Sequence, residues 1–359
     1  MKTSRMVLII LVVIIIAIIA IAVFLAPASS SPWKPTAEYP LQVADTVGVL
    51  GQQCVNSTAY VYCIGGQDAA YGPHNAVYTS SAVSSSSGDI TGWTPDVNHY
   101  PLPIFGQSCV ANTGYVYCVG GTYDDTGDDV NASYYAPLNS NGVVGTWNAT
   151  NSFPIPVDSQ SCVASSGYIY CVGGFHEVYG TNASSLMSDF VYYASISSSG
   201  IGSWNKSTAY PADVYLPSCL AANSYIYCVG GVDSSSGNAV STDYYAPLSS
   251  LGVGTWTQTT AYPVVASGQA CAVSSGDVYC AGGVGSSSFL NAIFYAAVSS
   301  GGIGTWTKAG NYPQSVMTDC VISSGYMYCV GGASSSQIYS VTYYISLETL
   351  LGITATTSG

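Results

Sequence analysis

The chain has 359 residues, of which 6% are charged, with five Lys and Arg against eighteen Asp and Glu and a formal net charge of -13. Nucleic acid is bound through clustered Lys and Arg, so this composition excludes it as a partner. Twelve cysteines and 31 tyrosines point instead to an oxidising compartment and a surface built from neutral hydrogen-bonding groups. Such a surface changes little on acidification, which fits an acidic habitat.

The first element in chain order is apolar. Lys2 and Arg5 precede residues 6–26, which carry no charged or polar side chain. As a helix this run spans about 30 Å, enough for a bilayer, whereas a secretory signal has an apolar core of about 7–15 residues. Residues 1–28 are therefore expected to form a transmembrane signal-anchor with a cytoplasmic N-terminus, although Ala26-Pro27-Ala28 also resembles a cleavage site. Residues 29–349 are expected to lie outside the cell as one repeat domain, followed by a short polar tail, 350–359.

From Cys54 onward one pattern occurs six times: a cysteine, eight residues, a second cysteine, one further residue and Gly-Gly. The pairs are Cys54/Cys63, Cys109/Cys118, Cys162/Cys171, Cys219/Cys228, Cys271/Cys280 and Cys320/Cys329, which use every cysteine. If Cys162 opposes Cys171, then Val163 faces Tyr170, Ala164 faces Ile169, Ser165 faces Tyr168, and Ser166-Gly167 is a two-residue turn. Counting outward from that turn makes the cysteine pair a non-hydrogen-bonded one, where side chains come closest. Local disulfides follow, each worth about 2.5 kcal/mol in the chain-entropy model. Zinc would need ligands converging from two elements.

After each Gly-Gly comes a variable polar stretch, then a strand with an aromatic pair: Tyr134-Tyr135, Tyr192-Tyr193, Tyr244-Tyr245, Phe294-Tyr295 or Tyr343-Tyr344, reduced to Val77-Tyr78 in the first copy. A Ser/Gly-rich link leads to a strand at Trp93, Trp147, Trp204, Trp256 or Trp306. An aromatic-Pro pair such as Tyr210-Pro211 follows each Trp. Trp33 precedes the first cysteine pair, and no Trp follows the last, so the N-terminal segment is expected to complete the final repeat.

Double glycine ending the second strand, Tyr on the third and Trp on the fourth resembles the kelch-type β-propeller repeat family over residues 33–347. The resemblance implies an all-β, six-bladed kelch-like β-propeller, its ring closed by the Trp33 strand, behind the N-terminal transmembrane helix. The cysteine staples depart from the family pattern, and no Arg exists beyond Arg5.

Specificity on a repeated scaffold is usually placed in its variable loops. These are residues 67–75, 122–131, 175–187 and 232–238, on the face opposite the cysteine turns. Tyr123, Tyr179 and Tyr215 on that face are candidates for stacking on sugars. Gln107, Gln160 and Gln269, two residues before their cysteines, are candidate ligand contacts; Gln53 is the nearest counterpart in the first copy. Asp124, Asp125, Asp128 and Asp129 form an acidic loop that could hold calcium, and the sequence implies no other cofactor. Asn56, Asn131, Asn148, Asn182 and Asn205 head glycosylation triplets.

Three histidines, no spare thiol and no Ser-His-Asp or HExxH grouping leave no assigned catalytic residue. The functional expectation is a membrane-anchored extracellular recognition or adhesion protein that binds a glycan or protein ligand. Two alternatives stay open: a structural cell-surface or filament component, and a carbohydrate-active enzyme using paired carboxylates.

Overall fold

The computed structural model describes residues 31–40, 42–43, 46–57, 59–68, 72–123, 128–176 and 186–352. The chain divides into two compact units, residues 1–32 and 33–359. The segment expected to span a membrane lies outside the described residues, as does 353–359 of the polar tail.

Each cysteine pair closes a hairpin in the register its spacing requires. Ser161–Ser165 runs against Tyr168–Val172 with Cys162 opposite Cys171 and Ser165 opposite Tyr168. At the turn, Ser166 and Gly167 have φ of 50° and 80°; Thr113-Gly114, Asn223-Ser224, Ser275-Gly276 and Ser324-Gly325 likewise have both φ values positive. Two left-handed residues define the turn whose twist matches that of the flanking strands.

All six expected pairs are disulfides: Cys54–Cys63, Cys109–Cys118, Cys162–Cys171, Cys219–Cys228, Cys271–Cys280 and Cys320–Cys329, with Cα atoms 4.0–4.1 Å apart. That closeness belongs to non-hydrogen-bonded pairs. The two members of a pair differ in surroundings. Cys63, Cys118, Cys171, Cys228, Cys280 and Cys329 stand on second strands, at most 1% exposed, whereas on the first strands Cys54, Cys109, Cys162, Cys219 and Cys320 keep 5–9% of their surface and Cys271 is half-buried.

A third strand pairs with the far edge of each hairpin, and a fourth begins at or just after the Trp. In the third repeat Val191–Ser197 pairs with Tyr168–Val172 and with Asn205–Lys206. The six repeats give six antiparallel sheets of four or five strands. In the sixth the outer strand comes from the N-terminal side, with Lys34 opposite Tyr344 and Pro35 opposite Tyr343.

The aromatic residues of the repeat form one packing unit. Tyr39, Tyr100, Phe153, Tyr210, Tyr262 and Tyr312 set their rings edge-on against Trp93, Trp147, Trp204, Trp256, Trp306 and Trp33, at centroid separations of 4.9–5.2 Å. The same rings pack edge-on against the first aromatic of a third strand, as Tyr100 does on Tyr134. This is the preferred aromatic geometry. The core therefore lies between sheets: Val110, Tyr117 and Val119 of the second pack with Ile169, Cys171 and Ala194 of the third.

The double glycine has a steric cause. The N–H of its second member donates to the segment before the next sheet's first strand, as Gly121 does to Val157 O and Gly231 to Ala266 O, at 2.8 and 2.9 Å. Gly332 makes the same bond from the sixth sheet to Val49 O of the first, at 2.9 Å. A Cβ on Gly120 would stand 2.4 Å from Val157 O, and both φ values are positive, 66° and 107° at Gly120 and Gly121. Only glycine meets both conditions without strain.

Two expectations are corrected. The strands do not build a closed six-bladed propeller: they form separate sheets, none closed, because neighbouring sheets meet through side chains and single backbone bonds and share no ladder. The expected membrane-crossing helix is not found among the described residues. Among the described residues the one helix is Leu347–Leu350, and none is long and apolar enough to cross a membrane.

Candidate functional site

The first strands of all six sheets line a cavity of about 440 Å³. Of each disulfide only the first cysteine belongs to this wall: Cys54, Cys109, Cys162, Cys219, Cys271 and Cys320 line it. Cys63, Cys118, Cys171, Cys228, Cys280 and Cys329 are instead buried one strand further out. The twelve cysteines are therefore structural, and no thiol is left for chemistry.

At this inner edge five of the six sheets are fastened to the next by the residue just before their first cysteine. Gln53 Oε1 accepts from Cys109 N–H at 3.3 Å, Ser108 Oγ from Cys162 N–H at 2.9 Å, Ser161 Oγ from Cys219 N–H at 3.0 Å, and Ser218 Oγ from Cys271 N–H at 3.2 Å. Asp319 Oδ2 accepts from Cys54 N–H, joining the sixth sheet to the first. Ala270 at the equivalent place in the fifth sheet has no such atom.

The glutamines expected to touch a ligand make a second set of fastenings. Gln107, Gln160 and Gln269 are buried, and their Nε2 atoms donate to Ile64 O, Val119 O and Val229 O of the preceding sheet at 2.8, 2.7 and 2.6 Å. Their counterpart in the first repeat is Gln52, which donates to Val330 O at 2.8 Å, and not Gln53. Two residues before the cysteine the side chain points between sheets, so the amide meets backbone.

One end of the cavity is rimmed by backbone. Gly106 N–H donates to Gly51 O, Ser159 to Gly106 O, Leu216 to Ser159 O and Gly268 to Leu216 O, at 2.9–3.1 Å. All five residues are left-handed, with φ between 53° and 67°. Three are glycine, but Ser159 and the bulky Leu216 hold the same conformation against their intrinsic preference.

The variable loops stand over this rim, and they carry regular structure of their own. Ile104–Phe105, Thr122–Tyr123 and Asp128–Asp129 form a small sheet, and so do Val214–Tyr215, Val232–Asp233 and Asn238–Ala239. Phe175–His176 pairs with Leu186–Met187. Phe175 and Tyr215 lie 6.0 Å apart between ring centroids, and both are half-buried, as are Phe105 and Tyr123. These two-residue strands carry no periodicity from which sequence reasoning could have found them.

Tyr179, Asp124, Asp125 and Asn182 lie outside the described residues. Of the acidic loop, Asp129 accepts from Thr122 Oγ1 at 3.1 Å, and no group of three metal-ligating side chains exists among the described residues. Asn131, Asn148 and Asn205 are exposed. Asn56, by contrast, lines the cavity and donates through Nδ2 to Ile322 O at 2.9 Å.

Two carboxyls raised by desolvation were not anticipated, the buried Asp243 and the half-buried Asp319. Burial pushes Asp243 up to about 8; it is 0% exposed and accepts from Gly230 N–H at 3.2 Å. It stands directly before Tyr244, where the other repeats place Val77, Ser133, Val191, Ile293 and Thr342. Burial likewise pushes Asp319 up to about 7. The signal that could have found both is the repeat itself: each is an acid where its counterparts are uncharged.

No family model matches the chain, and no curated protein matches it. A solved structure entitled "Structure of YjhT" is similar, with a TM-score of 0.66, 14% sequence identity, and 85% of this chain and 95% of that one covered. At that identity the likeness is one of fold alone.

Proposed function

We propose that the protein is an extracellular recognition protein that holds a glycan or protein ligand on its variable-loop face. Six disulfides indicate an extracellular or secreted setting. The observation that carries the reading is the asymmetry between the two ends of the sheets. One end carries two-residue turns of nearly uniform geometry. The other carries loops of differing length, ordered by small sheets and bearing the half-buried rings of Phe105, Tyr123, Phe175 and Tyr215. Ordered aromatic faces beside neutral hydrogen-bonding groups suit a glycan.

Paired-carboxylate hydrolysis draws little support from the cavity, because Asp319 is the one acid in its wall among the described residues. The test is a glycan array probed with the purified protein while particle size is measured in parallel. The expected result is a monodisperse protein that retains a glycan, with affinity lowered about tenfold by Tyr215→Ala. That factor corresponds to about 1.4 kcal/mol, the scale of one lost aromatic contact. Large assemblies with no glycan or protein retained would overturn the reading in favour of a structural component.

A further inference from the structure

The position before the first cysteine shows one substitution that the fold does not explain. Gln53, Ser108, Ser161 and Ser218 take the next sheet's cysteine N–H with a neutral oxygen, and the fifth sheet does without, having Ala270. A hydroxyl or an amide therefore suffices as a fastening. The sixth sheet uses the carboxylate of Asp319, whose charge costs desolvation that the bond to Cys54 N–H does not require. Among the described residues no Lys, Arg or His lines the cavity to offset it.

The remaining wall is rich in acceptors. Each first cysteine sits in a non-hydrogen-bonded pair, so its N–H and C=O point away from the second strand and toward the cavity. The carbonyls of Cys54, Cys109, Cys162, Cys219, Cys271 and Cys320 receive no bond from any other described residue. The cavity volume of about 440 Å³ lies within the usual range for small-molecule sites, roughly 300–1,000 Å³. Hard divalent cations call for several carboxylate oxygens, and this wall supplies one carboxylate. A single positive charge carrying three hydrogen-bond donors matches one carboxylate among neutral carbonyls.

We propose that the cavity is a binding site for a primary ammonium group, held by the Asp319 carboxylate and the inward-facing cysteine carbonyls. The raised position of the half-buried Asp319 carboxyl supports this, because its desolvation is offset by no cationic side chain in the cavity wall among the described residues. The site is independent of the loop face, so a failure of either reading leaves the other standing.

The experiment is calorimetric titration of the full chain with n-butylammonium chloride at pH 8 and 150 mM NaCl, with KCl and CaCl₂ as parallel arms. Saturable binding at one site is expected, weakened at least tenfold in both Asp319→Ser and Asp319→Asn. Serine already stands at this position in three sheets, and asparagine keeps the oxygen that receives Cys54 N–H, so both variants are expected to fold. Asp319 is the one titratable side chain facing the cavity among the described residues, so wild-type affinity is also expected to fall at pH 5. Three results would overturn the proposal: no saturable amine binding, equal binding by the variants, or displacement of the amine by millimolar K⁺ or Ca²⁺.

Discussion

Replacing Cys162 and Cys171 together by alanine is expected to lower the free energy of unfolding by about 3–5 kcal/mol, read from urea denaturation. Loop closure over a sequence separation of nine accounts for about 2.5 kcal/mol of this. The rest comes from packing. Cys171 is 1% exposed and lies among Val110, Tyr117 and Ile169, and shortening a fully buried side chain costs a transfer term and a cavity term. Because that cluster is shared between the second and third sheets, the loss is expected to spread to the neighbour and broaden the transition. An unfolding midpoint within error of the wild type would show that the hairpin register and the intersheet core suffice without the staple.

The second large effect is an inverted dependence of stability on pH. Most native carboxyls are held below their unfolded values, so acid destabilises. Here burial holds Asp243 up to about 8 and Asp319 up to about 7, against a value near 3.8 for an unperturbed carboxyl. Between those values the folded protein binds more protons than the unfolded chain, so stability falls as pH rises. It is expected to be highest below about pH 4, to fall between about pH 4 and 8, and to level off above. A tenfold change in proton affinity corresponds to about 1.4 kcal/mol, which puts the contribution of the fully buried Asp243 on the order of 3–5 kcal/mol. Asp319 keeps contact with the cavity and is expected to contribute less. Asp243→Asn retains an oxygen for Gly230 N–H and is expected to flatten most of the slope in urea denaturation at pH 4, 6 and 8. Stability that rises with pH over that interval would contradict the assignment. The expected sign agrees with a surface suited to acidic surroundings.

Much of the local architecture was legible in the sequence because the repeat states it six times. Hairpin parity fixed the partner of each cysteine, since a two-residue turn at Ser166-Gly167 admits one register, and that register is observed. Trp33 ahead of the first cysteine pair, with no Trp after the last, pointed to the pairing of Lys34 and Pro35 with Tyr344 and Tyr343. How the sheets meet was not legible. The six repeats read as one closed propeller behind a membrane helix, whereas the strands end in separate sheets joined by glycine N–H groups, side-chain oxygens and aromatic edges.

The candidate site was less legible for the same reason. Gln107 was read as a ligand contact from its position near the first strand; the structure adds that its Nε2 meets Ile64 O, 43 residues away in sequence. Asp319 meets Cys54 N–H across 265 residues, a distance over which no local pattern operates. In the first repeat a single residue of offset exchanges roles. Gln53 caps the next sheet's cysteine through its oxygen, while Gln52 holds the previous sheet through its nitrogen.

On the proposed reading, recognition falls to the loop face and support to the turn face. Hydrogen exchange with the strongest ligand from the array bound and unbound tests that division directly. Slower exchange is predicted in residues 67–75, 122–131, 175–187 and 232–238, with the turns at Thr113-Gly114, Ser166-Gly167 and Ser275-Gly276 unchanged. Protection confined to those turns, with the loops unaffected, would contradict it.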